Sequence, residues 1–328
     1  MHHILVAGRL HPAGIARLQS APGVTFKLVD EISVESYVPF IGDADAVVLR
    51  TQPMTADIIA GAPQLKVVSR HGVGYDAVDV KALDARGIAL TIVGDVNSRA
   101  VAEHTLMLML STARHTVAHD RAARSGHWNV RNAFETVELD GKTLLLLGFG
   151  RIGRRVAELA RAFGMVVTAY DPYLSADVIA AAGVRPATDM KRALGAADFV
   201  SLHMPPSPAG ALIGASELAL MKTSAIIINA ARGGLIDETA LDEALKSSRL
   251  LAAGLDVLAE EPPKPGHPLL ANERVTISPH SAGLTDECAA RMAVASVQNI
   301  LDFLAGTIDP RLVVNASQIT TEKPASQA

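Results

Sequence analysis

One cysteine, Cys288, serves the whole chain of 328 residues. No internal disulfide framework is available, and such sparing use of thiols fits a reducing cytosol. Cys288 itself reads as a small residue in a helix rather than a catalytic thiol. A cationic surplus is missing too: 30 Lys and Arg stand against 34 Asp and Glu, a net charge of -4. Neither nucleic acid nor an anionic membrane surface is an expected partner. No apolar run is long enough to span a bilayer. The N-terminus, Met1-His2-His3-Ile4-Leu5-Val6-Ala7-Gly8, enters a strand-like segment without the basic and apolar regions of a signal peptide. Repeats of solenoid type are absent, and no metal site is read into the chain. The expectation is a soluble, cytoplasmic protein.

What is present is an ordinary globular balance, 49% hydrophobic and 20% charged, with length enough for two domains. Short aliphatic strands are expected at Ile4–Ala7, Ala46–Leu49, Val67–Ser69 and Leu90–Val93. More follow at Lys142–Leu147, Met165–Tyr170, Phe199–Leu202, Ala225–Asn229, Ala252–Leu255 and Val275–Ile277. Helical patterns fall between them, among them Ala56–Ile59 and Val78–Ala85. Alternation of apolar strands with helices marks an α/β fold of doubly wound parallel sheets. Ser98–Thr112 is a long helix candidate that bridges two units, and Cys288–Leu304 is another, stopped by Gly306. The polar tail Gln318–Ala328 is expected to be disordered.

Lys142–Leu147 leads into Gly148-Phe149-Gly150-Arg151-Ile152-Gly153, a G-x-G-x-x-G at a strand-to-helix turn. Glycines there permit a tight bend and close approach to a pyrophosphate, and the helix Arg151–Phe163 offers its N-terminus to the anion. After the next strand comes Asp171, about 20 residues past the motif, where an acid accepts hydrogen bonds from the adenosine ribose. Its carboxylate would repel a 2′-phosphate, and neither Pro172 nor Tyr173 supplies a cation. The cofactor expected is NAD rather than NADP.

In open α/β sheets ligands lie beyond the carboxyl ends of the strands. The residues just past those ends are His203-Met204-Pro205, Arg232 after Asn229-Ala230-Ala231, Asp256, the pair Glu260-Glu261, and Pro279-His280 through Gly283. These types suit reduction of a 2-oxo acid by hydride transfer. Arg232 can hold a carboxylate bidentately and polarise the carbonyl. His280 titrates in the range a proton donor needs. A carboxylate beside it, Glu261 or its rival Glu260, would raise its pKa and fix its ring. His203 serves either the cofactor or its own strand end.

The chain resembles the D-isomer-specific 2-hydroxyacid dehydrogenase family, the group of phosphoglycerate, glyoxylate/hydroxypyruvate and D-lactate dehydrogenases. The matching segments are Ser69-Arg70-His71-Gly72-Val73-Gly74-Tyr75-Asp76, Asn97 with Val101-Ala102-Glu103-His104, and Gly148–Gly153. Leu202–Pro205, Asn229–Gly234, Gly254–Val257 with Glu261-Pro262, and Pro279-His280 follow in family order. The resemblance implies two Rossmann-like domains with a cleft between them. The NAD domain, 98–285, would be inserted into a substrate domain formed by 1–97 and 286–328. It also implies that Arg232, Glu261 and His280 are catalytic, choosing Glu261 over Glu260. Gly72, Val73, Gly74 and Asn97 would meet the substrate. The cofactor would be held by Gly148–Gly153, Asp171, Pro172, His203, Met204, Pro205, Ala230, Ala231, Arg232, Asp256, His280 and Gly283. Family members commonly dimerise through the segment that corresponds here to Ser98–Leu139.

The positions of Arg50 and Arg70 resemble those at which phosphoglycerate dehydrogenases place arginines against the substrate's anionic groups, and the resemblance implies the same contact here. The alternative for Arg50 is a strand end facing solvent. The expected activity is therefore NAD-dependent oxidation and reduction of a 2-hydroxy/2-oxo acid. A dianion of the 3-phosphoglycerate, hydroxypyruvate/glyoxylate or sulfolactate type is included. An NAD(H)-sensing corepressor-like interaction protein of the same fold is the competing expectation. Formate dehydrogenase shares the fold, but a Glu261–His280 pairing fits hydroxyacid enzymes better.

Overall fold

A computed structural model describes residues 1–206 and 210–319. The expected disorder from 320 onward and Ser207 of the loop after His203 lie outside the described residues, while Gln318 closes a short 3₁₀ turn, Ala316–Gln318. Two compact units emerge: Met1–Asn97 with the chain from Leu284 onward, and Ser98–Gly283. Four helices matter below: α1 (Ser98–Ala113), α2 (Arg151–Ala162), α3 (Glu238–Lys246) and α4 (Asp286–Leu304).

The first unit holds a five-stranded parallel sheet from β1 (His2–Ala7), β2 (Val24–Val29), β3 (Ala46–Leu49), β4 (Val67–Arg70) and β5 (Ala89–Thr91), in the order 2-1-3-4-5. The strands β1 and β3 are aliphatic and buried because helices cover both faces. Strand β2 escaped the sequence reading. It lies at the sheet edge, half-exposed, and its V-T-F-K-L-V alternates instead of forming an aliphatic run. Strand β5 stops at Thr91, short of the expected Val93. The N–H groups of Ile92 and Val93 turn away to the carbonyls of Leu312 and Gly72. Helix α4 starts two residues before the expected Cys288. The Thr285 hydroxyl caps it by accepting from the Cys288 N–H at 3.1 Å, with Asp286 and Glu287 suiting the positive end of the dipole. Its face of Ala293, Val297 and Ile300 packs onto Ile4, Val6, Val48 and Val67.

The second unit holds seven parallel strands: β6 (Thr143–Leu147), β7 (Val166–Tyr170), β8 (Arg185–Pro186), β9 (Phe199–Leu202), β10 (Ile226–Asn229), β11 (Ala252–Leu255) and β12 (Val275–Ile277). Their order is 12-11-10-9-6-7-8. The order reverses between β6 and β9, so the loops leaving those two strands flank the ligand crevice of such a sheet. In β10, Ile226 and Ile228 enter one apolar core and Ile227 the other, which explains an unbroken isoleucine run. The α/β class with two doubly wound parallel sheets is borne out. Among the described residues no helix is long and apolar enough to cross a membrane.

Candidate active site

The glycine turn after β6 is shaped by its neighbours. Gly148 has φ +98°, and a Cβ there would lie 2.5 Å from the His203 carbonyl oxygen across the switch point. A Cβ on Gly153 would overlap the Gly148 carbonyl. Those two glycines are demanded by the protein itself. Gly150 is different: its backbone is extended, and a Cβ would meet nothing within 4 Å. No side chain caps α2, whose N-terminus begins at that open spot. Free N–H groups, the helix dipole and open space fit the pyrophosphate of a dinucleotide. Asp171 accepts from the Phe149 N–H and the Tyr173 N–H, each at 2.9 Å. One bond per oxygen leaves lone pairs for a ribose hydroxyl. Pro172 follows it directly. His203 is half-buried, its Nε2 2.9 Å from the Ser201 hydroxyl, and burial pushes its pKa down to about 4. Met204 packs against the core and Pro205 is exposed.

Strand β10 delivers Arg232. The Asn229 side chain ties the turn from both sides, accepting from the Ala231 N–H at 3.1 Å and donating to the Arg232 carbonyl at 2.8 Å. Ala230 is buried and Ala231 half-buried, so the path to Arg232 is built of small side chains. Gly233 is required because a Cβ there would overlap the Leu258 carbonyl. The Arg232 turn and the loop after β11 thus touch backbone to backbone.

That loop carries Glu261. One oxygen accepts from the Leu258 N–H at 3.0 Å, and the other from His280 Nδ1 at 2.6 Å. The Glu261 bond raises the His280 pKa, burial works against it, and the Glu261 and Asp256 charges add to the rise while Arg232 opposes it. His280 adopts φ +51°, a left-handed conformation uncommon outside glycine. Asp256 holds it there. The His280 N–H donates to the Asp256 carbonyl at 2.7 Å, and the buried carboxylate accepts from Ser281 N–H, Ala282 N–H and the Ser278 hydroxyl at 2.9, 2.9 and 2.6 Å. With its hydroxyl hydrogen donated to Asp256, Ser278 Oγ accepts from His104 Nε2 at 2.8 Å, and that nitrogen also lies 3.3 Å from the Asp256 carboxylate. Burial alone would raise the Asp256 pKa; the bonds from His104, Ser278, Ala282 and Ser281 outweigh it and hold the carboxyl below its ordinary range. Gly283 ends this unit.

Arg232, Asp256, Glu261 and His280 therefore gather in one unit. His104 and Ser278 had no role in the sequence reading, although both lie in or beside the segments that carried the resemblance. Their signal was a polar side chain on an apolar helix and a hydroxyl two residues before a histidine.

The remaining candidates lie at the carboxyl edge of the first unit's sheet. Arg50 is half-buried, donates to the Arg9 carbonyl at 2.7 Å, and has its pKa lowered by burial. A strand end turned fully to solvent does not describe it. Arg70 donates to the carbonyls of Leu49 and His71 at 3.3 and 3.2 Å. Gly72, at φ +151°, lies beside the Arg70 guanidinium, with Val73 and Gly74 following. Asn97 ends the first segment, with a buried Oδ1 that meets no partner among the described residues.

Against this geometry, comparisons with known proteins are consistent. Residues 106–282 match the sequence pattern described as "D-isomer specific 2-hydroxyacid dehydrogenase, NAD binding domain". A D-3-phosphoglycerate dehydrogenase of Methanocaldococcus jannaschii is 40% identical over 98% of this chain and 61% of its own length. The chain thus spans about three-fifths of the phosphoglycerate dehydrogenases it matches. A glyoxylate reductase of Korarchaeum cryptofilum is 37% identical, over 88% of this chain and 87% of its own. The crystal structure of the TT0316 protein from Thermus thermophilus superimposes with a TM-score of 0.86 at 34% identity, covering 95% of this chain and 99% of that one. The chain belongs to the D-isomer specific 2-hydroxyacid dehydrogenase family and carries that family's NAD-binding domain.

Proposed function

We propose that this protein interconverts a 2-hydroxy acid and a 2-oxo acid with NAD(H), and that Arg232, Glu261 and His280 are its catalytic residues. The observation that carries the reading is the 2.6 Å bond between His280 Nδ1 and Glu261, in the unit that also holds the glycine cradle and the Arg232 turn. Nδ1–H pointed at a carboxylate leaves Nε2 as the working nitrogen. In reduction, the imidazolium would give its Nε2 proton to the substrate's C2 oxygen and become neutral, with Nδ1–H still on Glu261. In oxidation, neutral Nε2 takes the hydroxyl proton, and Glu261 stabilises the cation that forms. Arg232 binds the substrate carboxylate and draws charge from the carbonyl. Bound NAD(H) supplies or accepts the hydride at C2. Asp171 favours NAD over NADP. Residues Gly148–Gly153, Pro172, His203, Met204, Pro205, Ala230, Ala231, Asp256 and Gly283 would contact the cofactor.

The substrate class we propose is a 2-oxo acid with a second polar or anionic group, met by Arg50 and Arg70, with Gly72, Val73, Gly74 and Asn97 at its carboxylate. Relatives named D-3-phosphoglycerate dehydrogenase and glyoxylate reductase support it. A homodimer through the Ser98–Leu139 segment is part of the proposal. Its support is the exposure of Met107, Val117, Trp128 and Phe134 and a groove of about 440 Å³ lined by Leu106, Met107, Leu110, Leu159 and Phe163. A cytoplasmic location rests on the single thiol.

The test is NADH oxidation with glyoxylate, hydroxypyruvate and phosphohydroxypyruvate. His280→Ala should lower kcat by about 10²- to 10⁴-fold while NADH, followed by fluorescence, still binds. The His280 pKa is raised, so reductive activity should be full at low pH and fall as pH rises through that value. Undiminished turnover in the variant would remove the mechanism. A wild-type protein inert on every acid would favour the NAD(H)-sensing alternative.

A further inference from the structure

Glu238 opens α3, where an acidic residue ordinarily complements the helix dipole from a solvated position. Here it does something else. Its side chain is largely buried, with only 18% exposed. It reaches across to the loop after β11, accepting from the Ala259 N–H at 2.6 Å and from His267 Nε2 at 3.1 Å. Capping of α3 is already done by Asp237, whose carboxylate accepts from Thr239 N–H and Ala240 N–H, both at 3.0 Å. The helix does not need Glu238. The loop does: between Leu258 and His267 its anchors are Gly233 against Leu258, Glu261 on its own Leu258 N–H, and Glu238 on Ala259 and His267.

We propose that Glu238 is a positioning residue for the Glu261–His280 pair. By gripping Ala259 two residues before Glu261, and His267 six after it, Glu238 clamps the segment so that Glu261 meets His280 Nδ1 in line. The groups that face His280 are Glu261, Asp256 and Arg232, and Asp256 is faced in turn by His104. Glu238 faces His267, and the Lys264–Glu260 pair on the same loop is exposed. Of these, Glu261 alone lies on the loop that Glu238 holds, so the His280 titration reports its release.

The experiment is an NMR titration of the His280 ring in the intact chain, with NADH turnover in parallel. Glu238→Ala should move the His280 pKa down toward the ordinary imidazole value of about 6.5 and lower kcat by about 10- to 100-fold. The KM for NADH should change by less than about twofold. Glu238→Gln keeps an acceptor for Ala259 N–H, but its amide can donate to His267 Nε2 only with the ring proton moved to Nδ1, so it should recover the Ala259 half of the clamp and part of both readouts. Glu238→Asp keeps charge and fold but shortens the reach, and should reproduce the downward shift if the alanine variant fails to fold. An unmoved His280 titration in a folded Ala or Asp variant overturns the proposal. The titration needs no substrate, so an inert enzyme with a shifted His280 would sink the proposed function and leave this inference standing.

Discussion

The two sheets of this protein end in polar edges of the same kind, yet the groups around Asp256 and those around His71 are satisfied in opposite ways. At the edge of the second unit, Asp256 alone collects bonds from Ser278, Ser281 and Ala282, and its neighbours His280, Glu261 and His104 are each paired within the chain. At the edge of the first unit, both amide atoms of Gln52, His71 Nε2 and Ser69 Oγ are buried without a partner among the described residues. Native interiors leave few such atoms unmet. The difference teaches which edge is held by its own side chains. The Asp256 cluster is a completed network, in which losing one member strands several others, whereas His203 Nδ1 past β9 is buried without a partner among the described residues. The first unit's edge keeps polar groups that its own fold does not require.

The largest expected effect breaks the completed edge. Asp256→Ala strands the Ser281 and Ala282 N–H groups and the Ser278–His104 couple, and should cost about 3–5 kcal/mol in urea unfolding. A loss under about 1 kcal/mol would mean the network is not what holds that loop. The next effect is on the first unit and depends on pH. Burial, helped by the charges of Arg50 and Arg70, pushes the His71 pKa down to about 4. Below the ordinary imidazole range the unfolded chain binds a proton that folded His71 refuses, so stability falls as pH drops through that window, by about 3 kcal/mol. His71→Gln should flatten this slope between neutral pH and the region of 4, leaving the similar share of His203. An unchanged slope counts against the burial argument. The smallest effect sharpens the contrast. Gln52→Leu removes two unmet polar atoms from a side chain only 3% exposed, and should leave stability unchanged or raise it by about 1 kcal/mol. A clear loss in the same unfolding assay would show that the amide is satisfied after all.

Much of this was legible in the sequence because the signals were local. The G-x-G-x-x-G turn joined a strand to a helix, and buried parallel strands such as β10 were continuous aliphatic runs. The choice of Glu261 over Glu260 was not a local matter. It came from the family resemblance, and the geometry agrees in placing Glu261 on His280 and Glu260 on exposed Lys264. Strand β2 was hidden because an edge strand alternates and looks like any polar loop. His104 was unreadable because its partner, Ser278, is 174 residues away. Glu238 drew no reading for a different reason: a first-turn acid has an adequate local explanation, and only the fold reveals that Asp237 already caps the helix.

The contact between Gly233 and Leu258 has a consequence for how such a chain can change. Two backbones that touch leave no room for a side chain, so the spacing between the Arg232 turn and the Glu261 loop is set by main-chain geometry. Mutation can swap side chains around it but cannot retune that spacing by small steps. Descendants of this chain would inherit that spacing nearly intact, and change would have to act on side chains away from it, such as Arg50 and Arg70 in the first unit. Divergence within such a lineage should therefore be uneven along the chain, slow from Asn229 to Gly234 and fast after β3.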